Sequence, residues 1–279
     1  MVAYLWLAII GHEAGENVVR ALQRALGPHV LSAGLAASAA LVAFWVVLRL
    51  RRPLPGDGAG AAAVRRGFAA FVAGFLVLSY ALLVAIPTEA VHFLQYALPV
   101  FPLFLVTRRL GSVIVALSLA GVVDEGWQYW ILHPNWGVSL DFNDILMNVA
   151  GASLGVLVVL CTAPVARRAG GPTERLRRAD SPILRLLAGI AVAVVAARLA
   201  GFLSFEPGDA RAGALVLGRS APDPRFWTMV SWSEKRFHEL SPGPGLLLSG
   251  ALLFALGLLD AFVAVGSGAP GAPLRETRR

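Results

Sequence analysis

The sequence predicts an all-α protein, a polytopic helical transmembrane bundle of about seven spans, and three observations carry that prediction. First, the 279-residue chain is 57% hydrophobic and 15% charged, with a mean hydropathy of +0.69. Soluble domains run nearer 45–50% apolar and about 25% charged. Second, seven windows reach the roughly 20 mostly apolar residues that a helix needs to cross a bilayer. They are about 30–50, 68–87, 88–107, 111–132, 144–165, 184–204 and 245–265. Third, the basic residues collect in alternate connections between these windows. The composition excludes an ordinary soluble enzyme and a disordered tail. With Cys161 the single cysteine, it also excludes a disulfide-stapled secreted domain.

Residues 1–28 form an exterior or interfacial segment. Val2 to Ile10 is apolar but too short to span, and it lacks the basic flank and cleavage site of a signal peptide. Asn17 to Leu26 reads as an amphipathic helix ended by Gly27 and Pro28. His12-Glu13-x-x-Glu16 imitates the start of a zinc-protease motif but lacks its second histidine. Residues 29–67 hold the first span and a basic loop whose Gly/Ala-rich stretch 54–63 reads as flexible. Residues 68–165 hold four spans. The third window contains Pro99 and Pro102 and is expected to kink, with Thr88 as its N-cap. Residues 166–279 add a basic loop, two spans, the loop 205–243 and a basic tail. Phe226, Val230, Phe237 and Leu240 recur at helical spacing, which predicts a second interfacial helix in that loop. Trp127, Trp130, Trp136, Trp227 and Trp232 fall near one boundary, where tryptophan anchors a bundle.

Charge then sets orientation. Arg49, Arg51, Arg52, Arg65, Arg66, Arg108, Arg109, Arg167, Arg168, Arg175, Arg177, Arg178, Arg185, Arg275, Arg278 and Arg279 make 16 of the 24 basic residues fall on one side. By the positive-inside rule that side is cytoplasmic, with the N-terminus outside and the C-terminus inside. The net charge of +7 therefore reports topology, and no nucleic-acid partner is expected. Arg198 and Asp260 are further charges within spans, which either pair or, for Arg198, snorkel outward.

The polar residues of the spans gather at the outer ends of three consecutive helices. Glu89, His92 and Tyr96 begin the third window and share a face. Asp124, Glu125 and Gln128 end the fourth, with Asp124 and Gln128 at i, i+4. Asp141, with His133, lies in the short exterior loop, and Asp144 and Asn148 begin the fifth. Asp144, Asn148, Gly151 and Gly155 make one narrow stripe, whose two glycines admit a neighbouring helix at close range. Carboxylates concentrated at one depth require protonation, a histidine partner or a cation. His92, Asp124, Glu125 and Asp144 are thus the candidate catalytic or metal-ligating residues. Glu89, Tyr96, Gln128, Asp141 and Asn148 are candidates for substrate contact or support.

The run Asp124-Glu125-x-x-Gln128, followed by Asp144-x-x-x-Asn148-x-x-Gly151-x-x-x-Gly155, resembles the signature of the VanZ-like family of bacterial membrane proteins. Glu89-x-x-His92-x-x-x-Tyr96 resembles the element that precedes it there, so the likeness covers roughly 68–165. Many members carry Pro-Gly-Arg in the following loop, where this chain has His133-Pro134-Asn135-Trp136-Gly137 and no arginine. The resemblance implies a VanZ-like core in the cytoplasmic membrane of a bacterium. It also implies a cell-envelope role related to glycopeptide (teicoplanin) resistance, but supplies no reaction. Three readings follow. The chain acts on a lipid-linked or peptidoglycan-related molecule at the outer leaflet, with or without a divalent cation. It serves as a non-catalytic envelope protein using the acidic cluster and loop 205–243. Or it transports a proton or cation.

Overall fold

A computed structural model describes residues 27–58, 60–134, 139–167, 182–219, 225–229 and 236–265, together with 17, 18, 21, 22, 24 and 25. Trp136, Trp232, Val230, residues 1–16 and the tail 266–279 lie outside the described residues. Among the described residues the chain is mostly helical, and five helices are long and apolar enough to cross a membrane. The described residues among 17–25 are helical and exposed. Gly27, at φ +81°, separates them from α1 (Pro28–Leu50). That backbone angle suits glycine, and Pro28 then occupies a first helical position where no N–H is needed.

Helix α2 (Ala61–Leu82) begins well before the expected window, because Ala61 to Arg66 continue the helix and Arg65 is buried through pairing. The third expected span is not one helix. A 3-10 turn (Pro87–Ala90) leads into α3 (Val91–Ala97), and α4 (Val100–Thr107) follows Pro99. Thr88 lies inside the 3-10 turn, and the N-cap position of α3 falls on Ala90, which makes no side-chain cap bond. A proline ring cannot continue the hydrogen-bond ladder, which accounts for the break. Helix α5 (Leu110–Trp127) runs on through a π turn (Gln128–Leu132). Helix α6 (Phe142–Thr162) leads into β1 (Val165–Arg167), and α7 (Pro182–Leu199) follows. Helices α8 (Pro242–Gly257) and α9 (Leu259–Phe262) run into β6 (Val263–Val265). The five helices long enough to span are α2, α5 with its π turn, α6, α7, and α8 with α9. The expected count of seven is therefore reduced by the broken third window, and by a first helix whose described apolar part is only Ala36–Leu50.

Helix α6 is the axle. Nearly all of it is buried, and α2, α3, α5 and α8 pack around it. Helix α7 is almost wholly exposed, as a helix facing lipid is. Two small-residue contacts explain how close α3 comes. A Cβ added at Gly151 would lie 2.7 Å from the Phe93 carbonyl oxygen and 2.9 Å from that of His92. One added at Gly155 would abut the Ala97 carbonyl and lie 2.6 Å from Val100 Cγ2. The glycine stripe is the seat of α3.

The described residues of 226–240 do not form the expected interfacial helix. Among the described residues, 203–240 holds one 3-10 turn and short strands: β2 (Leu203–Ser204) parallel to β3 (Leu215–Val216), and β4 (Thr228–Met229) antiparallel to β5 (Arg236–Phe237). Thr228 faces Phe237 across the second pair, while Phe226 stacks on His238 at 4.2 Å. Aromatic and β-branched residues favour such pairing, and this overrides a weak helical period. Arg198 and Asp260 do not pair. Asp260 accepts from Gly111 N–H (2.8 Å), Ser112 N–H (2.9 Å) and Ser112 Oγ (2.6 Å), capping α5. Arg198 lies 3.9 Å from Asp209 and over the Phe205 ring.

The two ends of the bundle differ. At the arginine-rich end β1 pairs antiparallel with β6, and Gly58 N–H donates to Val165 O at 2.9 Å. The stretch 54–63, expected to be flexible, is pinned there. Arg65 is buried and grips both oxygens of Asp57 (2.5 and 2.6 Å) while donating to Leu160 O (2.5 Å) and Ala163 O (3.0 Å). Asp57 also accepts from Leu54 N–H (2.8 Å) and Val165 N–H (3.2 Å). The Arg65 guanidinium, above all, holds the Asp57 carboxyl below its ordinary range, with the two backbone N–H groups assisting. A carboxyl depressed in the folded state stabilises above its unfolded pKa of about 3.9 and loses that contribution as pH falls through the folded value. The wild-type melting temperature is therefore expected to drop on acidification from about pH 6 to about pH 3. Asp57→Asn is expected to start lower at pH 6 and to drop less over the same interval. Parallel pH profiles for the two proteins would contradict this role.

Candidate functional site

The opposite end of the bundle holds the candidate site, built on the first turns of α3 and α6 and the last turns of α5. Helix α3 delivers His92 and, one turn on, Tyr96, both buried against α6. His92 Nδ1 lies 2.9 Å from Asn148 Oδ1, and His92 Nε2 lies 3.5 Å from Asp144 Oδ2. An amide oxygen only accepts, so Nδ1 carries the hydrogen. In the neutral ring Nε2 then presents its lone pair to the carboxylate side. Glu125, from α5, completes the group: one donor atom from each of His92, Glu125 and Asp144 lies within 4.8 Å of the others. His92 and Glu125 are buried, and Asp144 is partly buried.

Asp124 is also buried, at 1% exposure, but is not among these three donors. Of the adjacent acids Asp124 and Glu125, it is Glu125 that faces histidine. Gln128 opens the π turn, in which His133 N–H donates to Gln128 O at 2.8 Å. Such a turn shifts the helix register by one residue, a device common at functional sites. Glu89 and Asp141 shape the backbone. Glu89 Oε2 accepts from Ala85 N–H (2.6 Å) and Ile86 N–H (3.3 Å), and it sits in the 3-10 turn rather than on α3. Asp141 is the N-cap of α6, accepting from Asp144 N–H at 3.0 Å, and is exposed. The five acids that share a depth in the sequence thus separate into the Asp141 cap, Glu89 bonded to the backbone before its turn, two members of the histidine group and Asp124.

Two buried amide nitrogens, Asn148 Nδ2 and Gln128 Nε2, have no acceptor among the described residues. Buried donors are normally satisfied, so these mark where an oxygen-bearing ligand, ion-bound water or solvent belongs. Gly121 was not singled out from sequence. A Cβ there would lie 2.7 Å from Asn148 Nδ2 and 3.2 Å from the Tyr96 hydroxyl. Its position four residues before Glu125, on the same face, is the signal that could have found it.

Four other residues join the site to distant chain. Asn143 donates to Leu83 O (3.0 Å) and His238 O (2.8 Å) and accepts from Leu240 N–H (3.0 Å). Leu140 N–H donates to Leu217 O at 2.8 Å, and Ser139 bridges Gly218. Arg219 donates to the Tyr129 and His133 carbonyls and lies 3.8 Å over the Tyr129 ring. The loop that lacks an arginine of its own at 133–137 thereby receives one from a segment almost ninety residues later. Trp127 and Trp227 are partly exposed, as boundary anchors are, and Trp130 packs edge-on against Tyr129.

One imidazole nitrogen and two carboxylates form a donor set suited to zinc or manganese. The 3.5 Å between His92 Nε2 and Asp144 Oδ2 is close to the ~3.4 Å that two ligands about 2.1 Å from a tetrahedral ion span. Asn148, bonded to the other ring nitrogen, is the kind of partner that fixes a metal-binding histidine. The same atoms without an ion make a histidine–carboxylate acid/base pair. Compared with family models, curated proteins and solved structures, the chain matches none.

Proposed function

We propose that this chain is a VanZ-like protein of the bacterial cytoplasmic membrane, with its arginine-rich end in the cytoplasm and its histidine–carboxylate group toward the outer leaflet. There it binds or acts on a lipid-linked or peptidoglycan-related molecule. The observation that supports this reading most is that His92 is oriented by Asn148 toward Glu125 and Asp144, while the amide nitrogens of Asn148 and Gln128 are buried without an acceptor among the described residues. A structural polar patch has no need of an oriented imidazole or of orphaned amides. The group offers a proton acceptor, two carboxylates and two donors for oxygen, which together suit a phosphate- or carboxylate-bearing substrate or a divalent cation that holds one. The positive-inside asymmetry supports the orientation.

A binding role that includes loop 205–243 has one observation in its favour: Arg219 and the Leu140–Leu217 and Ser139–Gly218 contacts fasten that loop beside the site. The transport reading has no comparable support, because the ionisable group sits at one end of the bundle, while transporter sites usually lie near the midplane.

The test is glycopeptide susceptibility in a bacterial host expressing the full chain. Wild type is expected to raise teicoplanin tolerance. Glu125→Gln and His92→Gln are expected to return it to the vector level while membrane insertion stays intact. Asp124→Asn is expected to have the smaller effect. If both Glu125→Gln and His92→Gln keep full tolerance, the acid/base and metal roles fail. If only removal of 210–235 abolishes tolerance, the binding role stands instead.

A further inference from the structure

We infer that the arginine-rich end carries a binding site for the phosphate headgroup of an anionic phospholipid, distinct from the histidine–carboxylate site and resting on the membrane reading of the bundle. Between the end of α1 and the start of α2 lies a cavity of about 740 Å³. Arg51, Arg52 and Arg66 line it, with Val47, Leu50 and the first turn of α2 as its remaining walls.

Its electrostatics are one-sided. The lining has a single carboxylate, Asp57, and Arg65 occupies both of its oxygens. Among the described residues Arg51, Arg52 and Arg66 have no carboxylate within ion-pair distance; Arg66 only donates to Ala62 O at 3.3 Å. Helix α2 has no side-chain cap and no acidic residue in its first turn, so its positive end adds to the same field. Its Ala62 and Ala63 sit on the cavity wall.

The cavity is also amphipathic in the way a lipid requires. Above it, Leu41, Phe44, Val47 and Leu48 of α1 are all exposed, giving an apolar strip that leads away from the arginines. A free anion would use the guanidinium groups alone. A phospholipid uses both, placing its phosphate among the arginines and its acyl chains along α1. Arginine clusters that merely report topology need neither a cavity nor an adjoining apolar track. Basic pockets between helices on the cytoplasmic side are where anionic headgroups bind.

The experiment measures lipid retained by the full-length protein. Protein is exchanged into nanodiscs of phosphatidylglycerol diluted in phosphatidylcholine, re-extracted in neutral detergent, and its bound lipid quantified. Wild type is expected to retain phosphatidylglycerol selectively and to melt at a higher temperature in its presence. Arg51→Gln/Arg52→Gln/Arg66→Gln is expected to retain it roughly a hundredfold more weakly. Arg108→Gln/Arg109→Gln/Arg185→Gln, which removes equal charge at the same end outside the cavity, is expected to stay within about fivefold of wild type. Ala62→Trp keeps every arginine but fills the cavity, and is expected to lose retention too, which covers the case of a triple variant that fails to fold. Equal losses in the control and cavity triple variants would reduce the effect to general surface charge and overturn the site. Retention at the wild-type level in Ala62→Trp would overturn it as well. If inorganic phosphate at matched ionic strength reproduces the rise in melting temperature and displaces the lipid, the ligand is free phosphate and the lipid assignment is wrong.

Discussion

Gly155→Leu is expected to cost at least about 3 kcal/mol of stability, the largest effect of any single substitution in the bundle. Overpacking by added methylenes typically costs about 1–3 kcal/mol where side chains can yield. Here the first obstruction is the backbone carbonyl of Ala97, with Val100 Cβ only 2.8 Å from the added carbon, and a carbonyl inside a helix cannot yield without moving α3. Helix α3 carries His92, so the substitution should also displace the imidazole from Asn148 and Asp144. Gly74→Leu on α2 is the control. Nothing lies within 4 Å of a Cβ at Gly74, and the residue is exposed, so its cost is expected within about 0.5 kcal/mol. Thermal unfolding in one detergent compares the two. Similar melting temperatures for both variants would mean that the glycine stripe is not where α3 is seated.

The second large effect is expected from metal binding. Purified protein stripped with chelator should take up one zinc or manganese ion, detected by isothermal titration and by metal analysis after gel filtration. His92→Ala or Glu125→Gln should remove a ligand and abolish saturable binding. Asn148→Leu, which leaves every ligand in place but releases the ring, should weaken it by about 10–100-fold. Acidification should weaken binding in wild type, because each ligand must give up its proton to coordinate. Unchanged stoichiometry in His92→Ala would place the ion elsewhere. No uptake by wild type, together with loss of glycopeptide tolerance in Glu125→Gln, would identify the group as a metal-free acid/base pair.

Much of this arrangement could be read from spacing, and the parts that could not share a physical reason. Helical periodicity is local. It places Asp144, Asn148, Gly151 and Gly155 on one stripe, and the structure seats α3 along it. It places His92 and Tyr96 one turn apart, and both are buried on one side of α3. Pro99 and Pro102 predict a kink, and the structure goes further, breaking the third window at Pro99. What sequence spacing does not carry is the partner of a polar group across tens of residues. Asp57 looks like part of a flexible stretch until Arg65 and Val165 claim it. Glu89 and Asp141 look like members of an acidic cluster until their backbone partners appear: Asp141 caps α6, and Glu89 accepts from Ala85 and Ile86 N–H. The strands after α7 pair two or three residues at a time, too few to register as an alternating pattern. Arg219 counts, in sequence, as one more basic residue on the less basic side. Its contact with Tyr129 and His133 follows from the path of a loop that no local rule specifies.

The ladder between Val165–Arg167 and Val263–Val265 has a consequence for how the protein is made. Its two strands are about a hundred residues apart, and α7 and α8 lie between them. Asp260, just before the second strand, also supplies the cap for α5, laid down some 150 residues earlier. During synthesis, then, α5 is made without its cap and Val165–Arg167 without its partner. Both are completed only by residues 260–265, so that one short segment after α8 closes two contacts whose other halves are made far earlier.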